Sequence, residues 1–299
     1  MKKIVLSTIV ALAATSAFAQ SNVEVYGKMR IYQESYKAGT AGALTQQSND
    51  ASRLGFKGSE DMGGGLKANF AIETGIGADS PSATTMGDRQ VTVGLSTSNG
   101  SIDLGRSKQS LARTYDKYDA LGNAVFSSIS AVHANQGSRL SNGTFITVKP
   151  IKGVSVDYQY GSSEVAGTPA THAGAINADF GPASFTVARY DNGQTSSSNV
   201  IAGKFNLAAT GTTISAIYSD DEVAGVKTKG KSVGVTQTIA GPLSAVASYG
   251  SNENLKAYDA GLNYSLSKRT TLLARYIKQD NNTDSSDVQR VALGIEHNF

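Results

Sequence analysis

The chain has no cysteine and no tryptophan, five prolines in 299 residues, and only 17% charged side chains. Without cysteine, disulfides, thiolate nucleophiles, iron–sulfur clusters and cysteine-type zinc sites are excluded together. Histidine is almost as scarce: His133, His172 and His297 stand far apart, and no His or carboxylate group has metal-ligand spacing. The excess of positive charge is only three, with 27 basic residues against 24 acidic. A basic footprint of the kind nucleic acid requires is therefore missing. After Gln20 no apolar run approaches the roughly 20 residues of a spanning helix.

The first nineteen residues are a separate unit. Lys2 and Lys3 precede an apolar stretch from Ile4 to Ala14, and Ala17-Phe18-Ala19 fits the small-x-small cleavage rule. Residues 1–19 read as a secretory signal peptide, too short to anchor in a bilayer. Cleavage would leave 25 basic against 24 acidic residues. Residues 20–299 then form one domain.

That domain alternates. Val23, Val25, Gly27, Met29 and Ile31 share one parity, while Glu24, Tyr26, Lys28, Arg30 and Tyr32 share the other. The period of two marks a strand with one apolar and one polar face. Leu54 and Phe56 oppose Arg53 and Lys57, and after Met62-Gly63-Gly64-Gly65 the set Leu66, Ala68, Phe70 and Ile72 opposes Lys67, Asn69 and Glu73. Similar runs follow to the end of the chain, many about ten residues long, enough for a tilted strand to cross a bilayer. Short turns such as Ser98-Asn99-Gly100, Gly181-Pro182 and Ala240-Gly241-Pro242 alternate with longer polar stretches at 37–50, 162–172, 220–230 and 279–287.

Two loop classes and tyrosines near strand ends predict an all-β fold, a transmembrane antiparallel barrel of about sixteen strands with a water-filled lumen. A soluble β-sandwich would alternate equally well. Its core would be thin, because alanine and glycine fill many of the apolar positions.

Two motif matches lack their structural context. Gly225 to Ser232 has phosphate-loop spacing, and Gly230-Lys231-Ser232-Val233-Gly234 spells a nucleophile elbow. Both motifs need a helix immediately after, but Ser232 to Ile239 alternates as a strand. No catalytic triad, cofactor site or metal site is predicted, so an enzyme is not expected.

The last strand, Val288 to Phe299, ends on a terminal aromatic that shares the apolar parity, and its His-x-Phe ending resembles Neisseria-type porins. Val25-Tyr26-Gly27-Lys28, the run Ser52 to Gly58, Arg89-Gln90, Leu104-Gly105-Arg106 and Tyr118 to Gly122 fall in the order of that Gram-negative porin family. The resemblance implies a sixteen-stranded homotrimeric channel in the outer membrane for small hydrophilic solutes and ions. It also implies a third long loop, here about Ser107 to Arg139, folded into the lumen, and makes Phe299 the assembly signal. It places wall bases at Lys28, Arg53 and Arg89, and more weakly at Arg139.

Parity agrees for Lys28 and Arg53. Arg89 shares parity with Val91 and Val93, so it must lie above the lipid belt or beyond a bulge to face inward. Where enteric porins carry an acidic Pro-Glu-Phe-Gly-Gly segment, this chain reads Asn123 to Ser128, leaving Asp116 and Asp119 as the loop carboxylates against Lys108, Arg113 and Lys117. A net positive constriction and mild anion selectivity are expected. The acidic run Asp220 to Glu222 offers divalent-cation bridges to lipopolysaccharide, against the plainer reading of a solvated loop. The rival function is a structural or adhesive surface barrel without an open pore.

Overall fold

The computed structural model describes residues 22–80, 85–122, 126–282 and 287–299. The predicted signal peptide lies outside them. Among the described residues, seventeen strands follow one another in chain order. The first six are β1 (Asn22–Ala38), β2 (Leu44–Asn49), β3 (Arg53–Asp61), β4 (Lys67–Gly75), β5 (Gln90–Thr97) and β6 (Gly100–Lys108). Two short helices, α1 (Ser110–Tyr118) and α2 (Ser128–Val132), precede β7 (Arg139–Ile151), β8 (Val154–Gly161), β9 (Thr171–Phe180), β10 (Ala183–Asp191) and β11 (Ser196–Leu207). The rest are β12 (Thr212–Val223), β13 (Val226–Ala240), β14 (Leu243–Ser251), β15 (Leu255–Ser265), β16 (Thr270–Asn281) and β17 (Val288–Asn298).

Neighbouring strands pair antiparallel, and β1 closes the ring on β17 from Lys28↔Asn298 to Ala38↔Val288. Closure leaves no strand edge unpaired in the hydrocarbon, where an orphaned backbone group is costly. β2 and β3 both pair with β1, β2 along Ile31–Tyr36 and β3 along Asn22–Lys28. They are two halves of one wall strand, so the barrel has sixteen. At the break, Ala51 adopts a left-handed φ of 56° and Asp50 reaches Arg30.

The apolar parity faces out. Val93 is 62%, Ile201 60% and Leu293 69% exposed, and among the described residues no second sheet covers them. A sandwich would bury these side chains, whereas a bilayer solvates them.

Several long connections are shorter than the sequence suggests. The 220–230 stretch is not a loop: Asp220↔Lys229, Asp221↔Thr228 and Glu222↔Lys227 continue the ladder to a turn at Ala224-Gly225. Likewise β1 runs to Ala38 and β2 returns from Leu44, which consumes most of 37–50. Charged residues at those positions mask strands that rise past the membrane, since polar surroundings on both faces abolish the hydrophobic alternation.

The connection between β6 and β7 folds inward. Leu111, Tyr115 and Tyr118 of α1 pack on Ala175, Ala188, Val200, Ala202 and Ile217 from β9 to β12. Leu121 and Phe126 pack on Tyr32, Val246, Leu273, Ile277 and Ala292, with the Phe126 and Tyr32 rings 4.7 Å apart. The first helix has no side-chain cap of its own; the Ser110 N–H is accepted by Gln159 Oε1 of the wall at 2.9 Å. The second is capped by Ser127, whose Oγ accepts the Ile129 N–H. The two helices therefore line the wall from β8 to β16, Leu121 and Phe126 reach on to β17 and the Tyr32 level of β1, and most of β3 to β7 stays open to the lumen.

Candidate constriction

On the uncovered wall, strand parity and the β2/β3 break converge a set of charges. A space of about 470 Å³ is lined by Lys28, Arg30, Arg53, Arg89, Lys108 and Arg139 together with Glu73, Asp116 and Glu296. Six bases against three acids leave a net charge of +3. A second space of about 590 Å³ continues along the same wall past Lys57, Asn69, Asp103 and Lys149, and Gln90 lines both.

The bases are held by shared acids. Glu73 receives Arg89 Nε at 2.7 Å and Arg53 Nε at 3.4 Å, and accepts the Tyr26 hydroxyl at 3.2 Å. Glu296 receives Arg30 Nε at 2.5 Å and Lys28 Nζ at 3.7 Å, while Arg30 Nη1 reaches Asp50 at 2.8 Å. Lys108 pairs with Asp116 of α1. Guanidinium groups fixed by carboxylates keep both charge and geometry, as a permanent field requires.

Lys28, Arg53, Arg89, Arg139 and Asp116 thus all reach one space. Arg89 does so because it precedes β5: its N–H donates to the Glu73 carbonyl at 3.2 Å, beyond the point where β5 imposes outward parity. Arg139 stands opposite Lys108 after a register shift between Gly105 and Ser107, and among the described residues its buried Nε has no hydrogen-bond partner. Asp119 does not line the space; it is buried, and its Oδ1 accepts the Leu121 N–H at 2.9 Å. A carboxylate at a helix end is as readily used to turn the chain as to face solute.

Sequence reading missed Arg30, Glu73 and Glu296 as members. Arg30 shares the inward parity of Lys28, but Glu73 and Glu296 carry no local signal, because their importance comes from neighbours on other strands. Glu73→Gln should raise the lining charge by one and free two guanidinium groups. Reversal potentials should move further toward the anion value, and a shift the other way would contradict the pairing.

Ser232, shared by the two dismissed motifs, does meet a histidine, His133. His133 Nε2 lies 3.0 Å from Ser232 Oγ, and Nδ1 lies 2.7 Å from Ser219 Oγ. The imidazole is 2% exposed and both nitrogens are occupied by hydroxyls rather than a carboxylate. The cluster fastens the loop to β12 and β13 and has no opening for substrate.

Phe299 lies at the barrel seam. Its N–H donates to the Gly27 carbonyl at 3.1 Å and the Gly27 N–H returns the bond at 3.0 Å. A Cβ at Gly27 would overlap the Phe299 ring.

Comparison with known proteins agrees with this geometry. Outer membrane porin protein 32 of Delftia acidovorans is 36% identical over 153 residues, 46% of this chain and 42% of that protein. Major outer membrane protein P.IA of Neisseria meningitidis serogroup C is 42% identical over 62 residues, 21% of this chain and 16% of that one. These matches span less than half the length of either relative. An anion-selective porin from Comamonas acidovorans superposes with a TM-score of 0.80 at 20% identity, covering 94% of this chain and 100% of its own. The family model for Gram-negative porins matches residues 6–284, and the chain belongs to that outer-membrane family.

Proposed function

We propose that the protein is a passive diffusion channel for small hydrophilic solutes and ions, mildly selective for anions, rather than an enzyme. The observation that carries this reading is the inserted loop covering one side of the lumen and leaving the other lined at net +3. Charge in a passage with low-dielectric walls is focused, so the excess of bases over acids in the lining biases which ion enters. The solved porin of similar fold is titled anion-selective, which supports the same sign. Purified protein added to a planar bilayer should give stepwise, ohmic conductance; a sealed bilayer would favour a structural or adhesive barrel.

A homotrimer is the assembly that suits the outer surface. The outward faces of β3 to β5 carry Leu54, Phe56, Ile72, Val91 and Val93, with no tyrosine or lysine to mark a lipid interface. Those strands form the contact between copies. Phe299 acts as the assembly signal, with its ring against Gly27 closing the seam. Deleting Phe299 should lower the yield of heat-modifiable, folded barrel in outer-membrane fractions severalfold, and unchanged yield would remove that role.

A further inference from the structure

Beyond the charged constriction the open wall changes character. The space of about 590 Å³ runs from Gln90 to Thr97 and Gly100, which flank one of the short turns that mark the periplasmic end of such a barrel. On β4 to β7 it is lined largely by uncharged polar side chains: Asn69, Gln90, Thr92, Ser96, Ser101 and Thr147. Asn69 Nδ2 donates to Ser96 Oγ at 2.8 Å, and Gln90 Nε2 donates to Thr92 Oγ1 at 3.1 Å. Each pair is only half used. Among the described residues, no protein group takes the amide oxygens of Asn69 and Gln90 or the hydroxyl protons of Ser96 and Thr92. Gly94 stands opposite Asn69, and Ala71 opposite Thr92, so the polar groups border a trough rather than a ridge. Asp103, opposite Gly94, lines the same trough, while Phe145 beside it is 5% exposed and adds little apolar surface.

We infer that this trough receives the hydroxyl-bearing body of a sugar acid whose carboxylate sits in the +3 cluster beside it, an assignment that rests on the channel reading. Gln90 lines both spaces, so a single solute reaches the two together. The strand from Gln90 to Gly94 covers about 13 Å, room enough for a six-carbon chain. An amide oxygen next to a hydroxyl proton matches a pair of neighbouring solute hydroxyls, one donating and the other accepting. An aliphatic chain in the same place would displace water from those groups and return no hydrogen bond. Asp103 narrows the choice further. Its carboxylate accepts hydroxyl protons but repels a second acid group, so a polyol with one acid end suits the trough better than a diacid. The bases here, Lys57, Arg113 and Lys149, exceed Glu24 and Asp103 by one only, so the stronger attraction for the acid end stays in the neighbouring cluster. Weak contacts spread along a wall hold a solute without trapping it, as a diffusion channel requires.

Competition with chloride tests the assignment. Full-length protein in a planar bilayer carries a potassium chloride current while gluconate, hexanoate or sorbitol is added, and apparent affinity is read from the interruptions each solute causes. All three have six carbons, but only gluconate combines the acid group with the hydroxyls. Gluconate should bind about fivefold more tightly than either of the others. Asn69→Leu with Ser96→Ala removes one donor and its acceptor together, and should weaken gluconate about fivefold while leaving hexanoate and the chloride reversal potential unchanged. Equal affinity for gluconate and hexanoate, equal affinity for gluconate and sorbitol, or an unaltered double variant would overturn the assignment. The comparison of solutes on the wild-type protein decides it even if the variant fails to fold. Chloride current without preference for gluconate would overturn this inference alone, whereas a bilayer without chloride current would overturn the channel reading and this inference with it.

Discussion

Replacing Arg53, Arg89 and Arg139 together with serine should abolish the anion preference and raise single-channel conductance. The six bases and three acids lining the space are reduced to three of each, so the net charge falls from +3 to zero. A unit charge at 4 Å in water is worth about 1 kcal/mol, roughly a fivefold bias in local ion occupancy, and low-dielectric walls increase it. The anion-to-cation permeability ratio should therefore fall severalfold, while shorter side chains widen the passage. Arg53→Ser alone should act in the same direction and less strongly, because Arg89 remains on Glu73 at 2.7 Å. A triple variant with unchanged selectivity would place the filter elsewhere.

Acid should loosen the inserted loop. Burial pushes the His133 imidazole down to about 3 from its usual 6.5, since both nitrogens are enclosed by Ser219 and Ser232. The folded state holds the neutral ring, so its contribution to docking is complete above about pH 6.5. It declines as pH falls toward 3, by about 1.4 kcal/mol per pH unit while the released ring binds a proton and the docked one does not. Proteolysis at residues 109–138 should accelerate over that interval in wild type. His133→Gln, which cannot titrate, should give a flatter profile from a less stable starting point. A wild-type rate independent of pH down to 4 would show that His133 does not latch the loop.

Much of the barrel is readable from alternation, because lipid and water impose opposite demands on consecutive residues. Outward apolar parity, the sixteen-strand count and the inward turn of Lys28 and Arg53 all follow from that rule. The rule weakens where both faces meet the same medium. Residues 220–230 are polar on both faces and read as a loop in the sequence, although they form a ladder outside the bilayer. The inner faces of β9 to β12 carry Ala175, Ala188, Val200, Ala202 and Ile217, apolar where a wet lumen should be polar. That exception marks the surface on which α1 lies, a signal visible in the sequence once its partner is known. Glu73 and Glu296 were not legible because each acts on bases brought from other strands. Asp119 stands off the lined space, and counting loop carboxylates does not reveal that its oxygen turns the backbone.

The account depends on a water path beside the loop whose lining is positive. Reversal potential measured on the wild-type protein in a planar bilayer under a potassium chloride gradient tests this most directly. A stable open current reversing on the chloride side of zero is the predicted result. A current reversing on the potassium side, or a membrane that stays sealed with folded protein in it, would contradict the account.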